Sequence, residues 1–250
     1  MLDVLVFGAH PDDEVFMGGT IAKLADRGYR IGVCDLTRGE CGSRGTPEDR
    51  AREAEEAARI LGIAQRIALD LGDTQIGLRG DHRLAVVRVL REARPTLVFV
   101  HEADDRNPDH VRTNRLVREA CFYAYVKGIE TGQERFRPQA LIEYYGNPTT
   151  HAHGATFVVP ISETFARKME AMRAYKSQFF NPEFSGPETF VSSKTFFEQI
   201  EARARYWGSL VGENYGEIFR YRGLITIGDP VDFFLRTRTE EAGEGRERDM

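Results

Sequence analysis

The chain has 250 residues, 41% of them hydrophobic and 29% charged, with a net charge of −5. That length and balance describe an ordinary globular chain with room for one sizeable core. They give a nucleic acid no attractive long-range field. No apolar run approaches the ~20 residues of a membrane span. The N-terminus lacks a basic region followed by an apolar core and cleavage site. Three widely spaced cysteines, Cys34, Cys41 and Cys121, suit a reducing compartment rather than a disulfide framework. The expectation is a cytoplasmic protein with neither a nucleic-acid nor a membrane partner.

Strand and helix signals alternate through the first half. Val4 to Ala9 is an apolar run that reads as a buried strand. A helix is predicted from Gly18 to Arg27, stopped by Gly28. Tyr29 to Leu36 reads as a second strand, and Thr37 to Gly45 as a glycine-rich loop. Thr46, Pro47 and Asp49 form a helix start, with Thr46 as N-cap and Pro47 at the first helical position. That helix runs to Leu61 and ends at Gly62. A short strand near Ile67 to Leu69 precedes the loop Gly72-Asp73-Thr74. A helix follows from Arg83 to Glu92, and Pro95 precedes the strand Leu97 to Val100. The next helix spans His110 to Tyr125. Two strands, Ala140 to Tyr145 and Thr156 to Val159, and two helices, Glu163 to Tyr175 and Ser193 to Gly212, complete the pattern. A β-α-β-α-β-α-β order predicts an α/β domain with a mostly parallel sheet and right-handed crossovers. One domain covers residues 1–238, and the charged stretch from Thr239 to Met250 reads as a frayed tail.

Chemistry concentrates in two places. His10-Pro11-Asp12-Asp13-Glu14 leaves the end of the first strand, where ligand sites of such sheets lie. Asp104-Asp105-Arg106-Asn107-Pro108-Asp109-His110 follows the strand ending at Val100 and reaches the same edge. His10, Asp13 and His110 make a two-histidine, one-carboxylate set. Three protein ligands with an open position are the pattern of a catalytic zinc, and iron or cobalt would fit the same donors. Asp12 is then free to act as general base. Blander readings suit the neighbours. Glu14 is expected to be a structural partner at a helix start, Asp104 and Asp105 loop or capping residues, and Asp109 a helix N-cap. His82 and His101 read as ordinary polar residues, with the place of His101 at a strand end leaving pocket contact open to it, His151 as a loop residue, Cys41 as an exposed thiol, and Tyr175 and Phe179-Phe180 as core. Gly18-Gly19 lacks the spacing of a dinucleotide fingerprint.

Ala9-His10-Pro11-Asp12-Asp13-Glu14, Thr37-Arg38-Gly39-Glu40 and Pro108-Asp109-His110 resemble the signature blocks of the LmbE-like, PIG-L deacetylase family. Ala174-Tyr175-Lys176-Ser177-Gln178-Phe179 and Glu201-Ala202-Arg203-Ala204-Arg205 look like its bacillithiol-pathway branch. The resemblance implies a Rossmann-like three-layer fold with C-terminal helical additions. It also implies zinc on His10, Asp13 and His110, with Asp12 as base. The activity it implies is removal of the N-acetyl group from a glucosamine conjugate, N-acetylglucosaminyl malate in that branch, in the cytosol. Glu40, Arg50 and Asp73 match positions that contact the sugar or line its pocket, and Arg106 is placed to meet a malate carboxylate. Where the family carries a histidine three residues before the last ligand, this chain has Asn107, which can support an oxyanion but cannot transfer a proton. His153 is the candidate second histidine. Family members often assemble as trimers or hexamers. Chitobiose-like sugars and thiol–sugar S-conjugates are the alternative substrates, and a non-catalytic metal- or sugar-binding protein is the alternative class.

Overall fold

The structure is a computed structural model that describes residues 1–146 and 154–239. In chain order the elements are β1 (Val4–Gly8), a 3-10 turn (Asp13–Met17), α1 (Gly18–Asp26), β2 (Ile31–Asp35), α2 (Pro47–Leu61), β3 (Gln65–Ala68), α3 (Gly80–Ala93), β4 (Leu97–His101) and α4 (Pro108–Tyr123). They continue with β5 (Ala140–Tyr144), β6 (Phe157–Pro160), α5 (Phe165–Ala174), α6 (Lys194–Ser209), β7 (Gly216–Tyr221) and α7 (Pro230–Thr239). The strands form one sheet in the order β3-β2-β1-β4-β5-β7-β6. Neighbours from β3 to β5 are parallel, and β7 runs antiparallel to both β5 and β6.

The sequence of β1 explains its central place. All five residues are buried, and successive side chains enter opposite layers because a strand's faces alternate. Val4 and Val6 join Ile21 and Ala22 of α1, Ala57 and Leu61 of α2, Met169 and Met172 of α5, and Phe196 and Ile200 of α6. Leu5 and Phe7 join Val86 and Leu90 of α3, with Leu116 and Val117 of α4. The result is the expected three-layer α/β arrangement. Chain order reverses at β1, with β2 on one side and β4 on the other. That is the topological switch point at which such sheets bind ligands.

Helix α2 starts and stops as its residues dictate. The Thr46 side chain accepts from the Asp49 amide at 3.1 Å, and the Asp49 carboxylate accepts from the Thr46 amide at 3.0 Å. Gly62 closes the helix at φ 76°, a conformation that costs glycine little. Two elements depart from expectation. Gly216–Tyr221 is a strand, β7, and Pro230–Thr239 is a helix, neither of them among the predicted elements. Glu217 interrupts the apolar pattern of β7, and its burial has a specific reason. It accepts from the Gly19 and Thr20 amides at the start of α1, at 3.1 and 2.8 Å, and pairs with Lys168 at 2.6 Å. Residues 240–250 lie outside the described residues.

Candidate metal centre and substrate cavity

The C-terminal ends of β1 and β4 sit side by side in the sheet, so the segments that follow them meet. Donor atoms of His10, Asp13 and His110 lie within 4.8 Å of one another. The two imidazole centroids are 5.6 Å apart, and His110 Nε2 is 3.2 Å from Asp13 Oδ1. The other carboxylate oxygen, Asp13 Oδ2, accepts from the His10 amide at 2.8 Å and lies 3.0 Å from His101 Nε2. Asp13 is thus anchored through one oxygen and presents the other to His110.

Each histidine has a carboxylate on the far side of its ring. Asp105 Oδ2 is 3.1 Å from His110 Nδ1. Asp73 Oδ1 is 3.1 Å and Asp109 Oδ2 3.7 Å from His10 Nε2. Carboxylate partners of this kind fix ring orientation in metal sites, so the donor set and its supports both fit a divalent cation. His101 stacks on His110 with centroids 3.8 Å apart, and its Nε2 is 3.1 Å from the Tyr144 hydroxyl.

The electrostatics follow from burial set against these partners. Burial alone would lower His10, but contacts with Asp109 and Asp73 and the charge on Asp13 outweigh it and hold the group at about 9. Burial likewise opposes, and Asp13 and Asp105 together raise, His110 to about 10. Asp13 stays well below the usual carboxylate range because His110 and His101 overcome its desolvation.

Asp12 is held differently. Its carboxylate lies 3.2 Å from Arg50 Nη2, and Arg50 also donates to the Pro11 and Gly39 carbonyls at 2.6 and 3.1 Å. Burial pushes Asp12 up, Arg50 pulls it down, and neighbouring Asp13 pushes it up again. It rests at about 7, where a carboxylate can take and return protons. Its backbone has φ 124°, a region side-chain-bearing residues seldom adopt and one that recurs at functional sites. Glu14 helps impose it by accepting from the Asp12 amide at 3.3 Å. Glu14 is itself fixed by Arg66 at 2.9 Å and by the Tyr175 hydroxyl at 2.6 Å.

A cavity of about 440 Å³ opens over this cluster, within the usual range for a small-molecule site. Asp12, Arg50, Asp73, Arg106 and Asn107 line it, as does a wall containing Phe16, Phe190 and Val191. Arg106 stacks on Phe190 at 4.1 Å from the ring centroid. Glu40 is not among the lining residues. It accepts from the Asp73 amide at 2.7 Å and so braces the turn that carries Asp73. Asn107, rather than Asp109, is the N-cap of α4, and its side-chain oxygen accepts from the Asp109 amide at 2.9 Å. The Asp109 carboxylate accepts instead from the Thr74 amide at 2.8 Å. Cys41 lines the cavity, and its amide donates to Asp73 at 2.9 Å. His151 and His153 lie outside the described residues.

Sequence reasoning gave three residues at this site blander roles than the structure gives them. Asp105 was expected to be loop or cap, yet its side chain is fully buried against His110. His101, expected to be an ordinary polar residue, is the last residue of β4 and contacts Asp13. Asp109 was expected only to cap. The position of His101 at a strand end beside the motif was the one available signal.

The sequence profile of the family described as PIG-L, GlcNAc-PI de-N-acetylase, matches residues 5–121. The diacetylchitobiose deacetylase of Thermococcus kodakarensis is 30% identical over 234 residues, covering 87% of this chain and 82% of that protein. A probable N-acetyl-α-D-glucosaminyl L-malate deacetylase 2 of Bacillus cereus is 27% identical over 190 residues, 70% of this chain and 83% of that one. Among solved structures, the conserved protein TT1542 from Thermus thermophilus superposes with a TM-score of 0.82 at 36% identity, covering 91% of this chain and 98% of its own. With a relative of that identity and extent on a shared fold, the chain belongs to the PIG-L/LmbE-like deacetylase family and is an enzyme of it.

Proposed function

We propose that this enzyme hydrolyses the N-acetyl amide of a glucosamine conjugate, releasing acetate and a free amine. One observation carries the reading: His10, Asp13 and His110 converge within 4.8 Å, with the half-buried carboxylate of Asp12 beside them, 3.2 Å from the guanidinium of Arg50. A binding protein has no need of that extra acid. The donors suit zinc, and iron(II) or cobalt(II) would fit them as well. Such a cation, when bound, polarises an acyl oxygen and lowers the pKa of water.

The remaining steps belong to the chain. Asp12 takes a proton from the attacking water. Arg50 keeps the Asp12 carboxylate aimed while that proton is held. Asp12 then returns it to the amide nitrogen as the carbon–nitrogen bond breaks, unless His153 supplies the acid. Asn107 has its side-chain oxygen committed to the Asp109 amide, so its NH₂ group is the part that serves the developing oxyanion. Asp73 holds His10 in place, and Arg106 meets an anionic group on the aglycone.

The malate conjugate of bacillithiol synthesis is the finer version of this proposal, supported by the sequence resemblance and by a relative named for that activity. The test is acetate release from N-acetylglucosaminyl malate and from diacetylchitobiose, before chelation, after it, and after zinc is restored. Turnover that follows the metal and disappears in Asp12→Asn is the expected result. Zinc-loaded protein that releases no acetate from any N-acetylglucosaminide would instead mark a binder.

A further inference from the structure

Three acids follow one another at the end of β1, Asp12, Asp13 and Glu14, and Glu14 is the one without a part in the reaction. A carboxylate that serves only the dipole of a helix start belongs at the surface, where water shares its charge. The Glu14 side chain is 0% exposed. Taking it out of water is unfavourable by several kcal/mol unless partners offset the loss.

The partners hold it from three sides. Glu14 Oε1 accepts from the Tyr175 hydroxyl at 2.6 Å and from Arg66 Nη1 at 2.9 Å. Oε2 accepts from Arg66 Nη2 at 3.2 Å and from the Asp12 amide at 3.3 Å. Arg66 turns its other donors to Asp35, at 2.6 and 2.8 Å, and to the Ala54 carbonyl at 3.3 Å. All five N–H groups of the guanidinium are therefore engaged, and its fork fixes the plane of the Glu14 carboxylate. Glu14 follows β1, Asp35 ends β2, Arg66 lies in β3 and Tyr175 follows α5. Glu14 cannot turn without breaking bonds to two other elements.

A buried ion-pair network of this kind is weak evidence for added stability. Its place beside the base gives the better reason. Asp12 reaches the cavity from a backbone φ of 124°, and such a torsion persists only where its surroundings over-determine it. Arg50 holds the Asp12 carboxylate, and Glu14 holds the Asp12 amide. We propose that Glu14 is a positioning residue for the proton transfer: fastened by Arg66 and Tyr175, it fixes the backbone of Asp12 and so the direction from which that carboxylate meets the attacking water. The proposal rests on the reading of Asp12 as general base. Glu14 is not among the residues that line the cavity, so its replacement acts on the chemical step rather than on substrate binding. A base misplaced by about 1 Å loses about 100-fold in rate.

The test is steady-state acetate release by the zinc-loaded, full-length protein, comparing wild type with Glu14→Gln, Tyr175→Phe and Asp12→Asn. Circular dichroism and a zinc Kd accompany each variant. Glutamine keeps the shape of Glu14 but turns an NH₂ group toward an Arg66 donor whichever way its amide lies. The expected result for Glu14→Gln is a kcat lower by about 10–100-fold, with KM and zinc Kd near wild-type values. Tyr175→Phe loosens Glu14 from the α5 side and leaves its charge in place, so it is expected to lower kcat in the same direction by a smaller factor. It carries the test if Glu14→Gln does not fold. Hydrogen exchange supplies a readout independent of turnover: the Asp12 amide is expected to be protected in wild type and to exchange faster in both variants. A folded Glu14→Gln that turns over like wild type while Asp12→Asn is inactive overturns the proposal. So does a loss that appears in KM or in zinc affinity instead of kcat, which marks a merely structural role. Asp12→Asn that retains wild-type turnover refutes the assignment of the base itself, a different failure with a different signature.

Discussion

Asp105→Asn separates a carboxylate that supports the metal centre from one that merely fills a loop. Asp105 Oδ2 is 3.1 Å from His110 Nδ1 on a fully buried side chain, and Oδ1 accepts from the Asn107 amide at 2.8 Å. Asparagine keeps the shape and, through its carbonyl, the bond to Asn107. It then turns an NH₂ group toward Nδ1, so an acceptor becomes a donor and His110 loses the partner that fixes its ring. Loss of such a partner costs about 10–100-fold in metal affinity, about 1.4–2.8 kcal/mol at 1.4 kcal/mol per tenfold. Competition against a chromophoric chelator, on protein shown to be folded, reads this directly as the zinc Kd. A variant that holds zinc within twofold of wild type would sink the argument that Asp105 orients a ligand.

Three further outcomes follow from geometry already described. Gly39→Ala places a Cβ on the Arg50 guanidinium, at a backbone φ of 66° that favours glycine; kcat/KM for acetate release should drop about 10-fold or more, an effect of about 1.4 kcal/mol, while zinc affinity holds. Tyr175→Phe removes the 2.6 Å bond to Glu14; a hydrogen bond to a charged group contributes about 1.5–3 kcal/mol, and at about 2–4 °C per kcal/mol for a domain of this size thermal unfolding should fall by about 3–12 °C. Asp49 is held below the ordinary carboxylate range by its bonds from Thr46; its contribution is complete above the unfolded value of about 3.9 and is lost as pH falls through the lower folded value, so Asp49→Asn should show a smaller drop in melting temperature between pH 6 and pH 3 than wild type. Equal drops would mean that the capping box adds nothing.

What could be read in advance was local in sequence or periodic. The capping box at Thr46, the stop at Gly62 and the apolar run of β1 each announce themselves within a few residues. His10, Asp13 and His110 were legible because two strands with polar ends had to deliver them to one edge of a parallel sheet. Asp105 and Asp109 were not, and His101 was only through its place at a strand end, because their roles are set by what lies across the fold. An aspartate in a loop looks the same whether it faces water or a buried imidazole. Strand β7 was hidden by Glu217, whose charge reads as surface until Lys168 and the α1 amides appear opposite it. Helix α7 escaped notice because the apolar residues from Val231 to Leu235 do not persist long enough for a clear helical stripe.

The torsion at Asp12 has a consequence for anyone making inactive enzyme. Alanine is the habitual choice for erasing a side chain, but at φ 124° a β-carbon is the source of the discomfort. Of two dead proteins, Asp12→Gly should outlast Asp12→Ala, by about 1–3 kcal/mol if the strain is of ordinary size, with melting temperatures side by side as the check. The scaffold here works against the residue its reaction demands, and a crystallographer seeking a robust substrate trap should choose the smaller replacement.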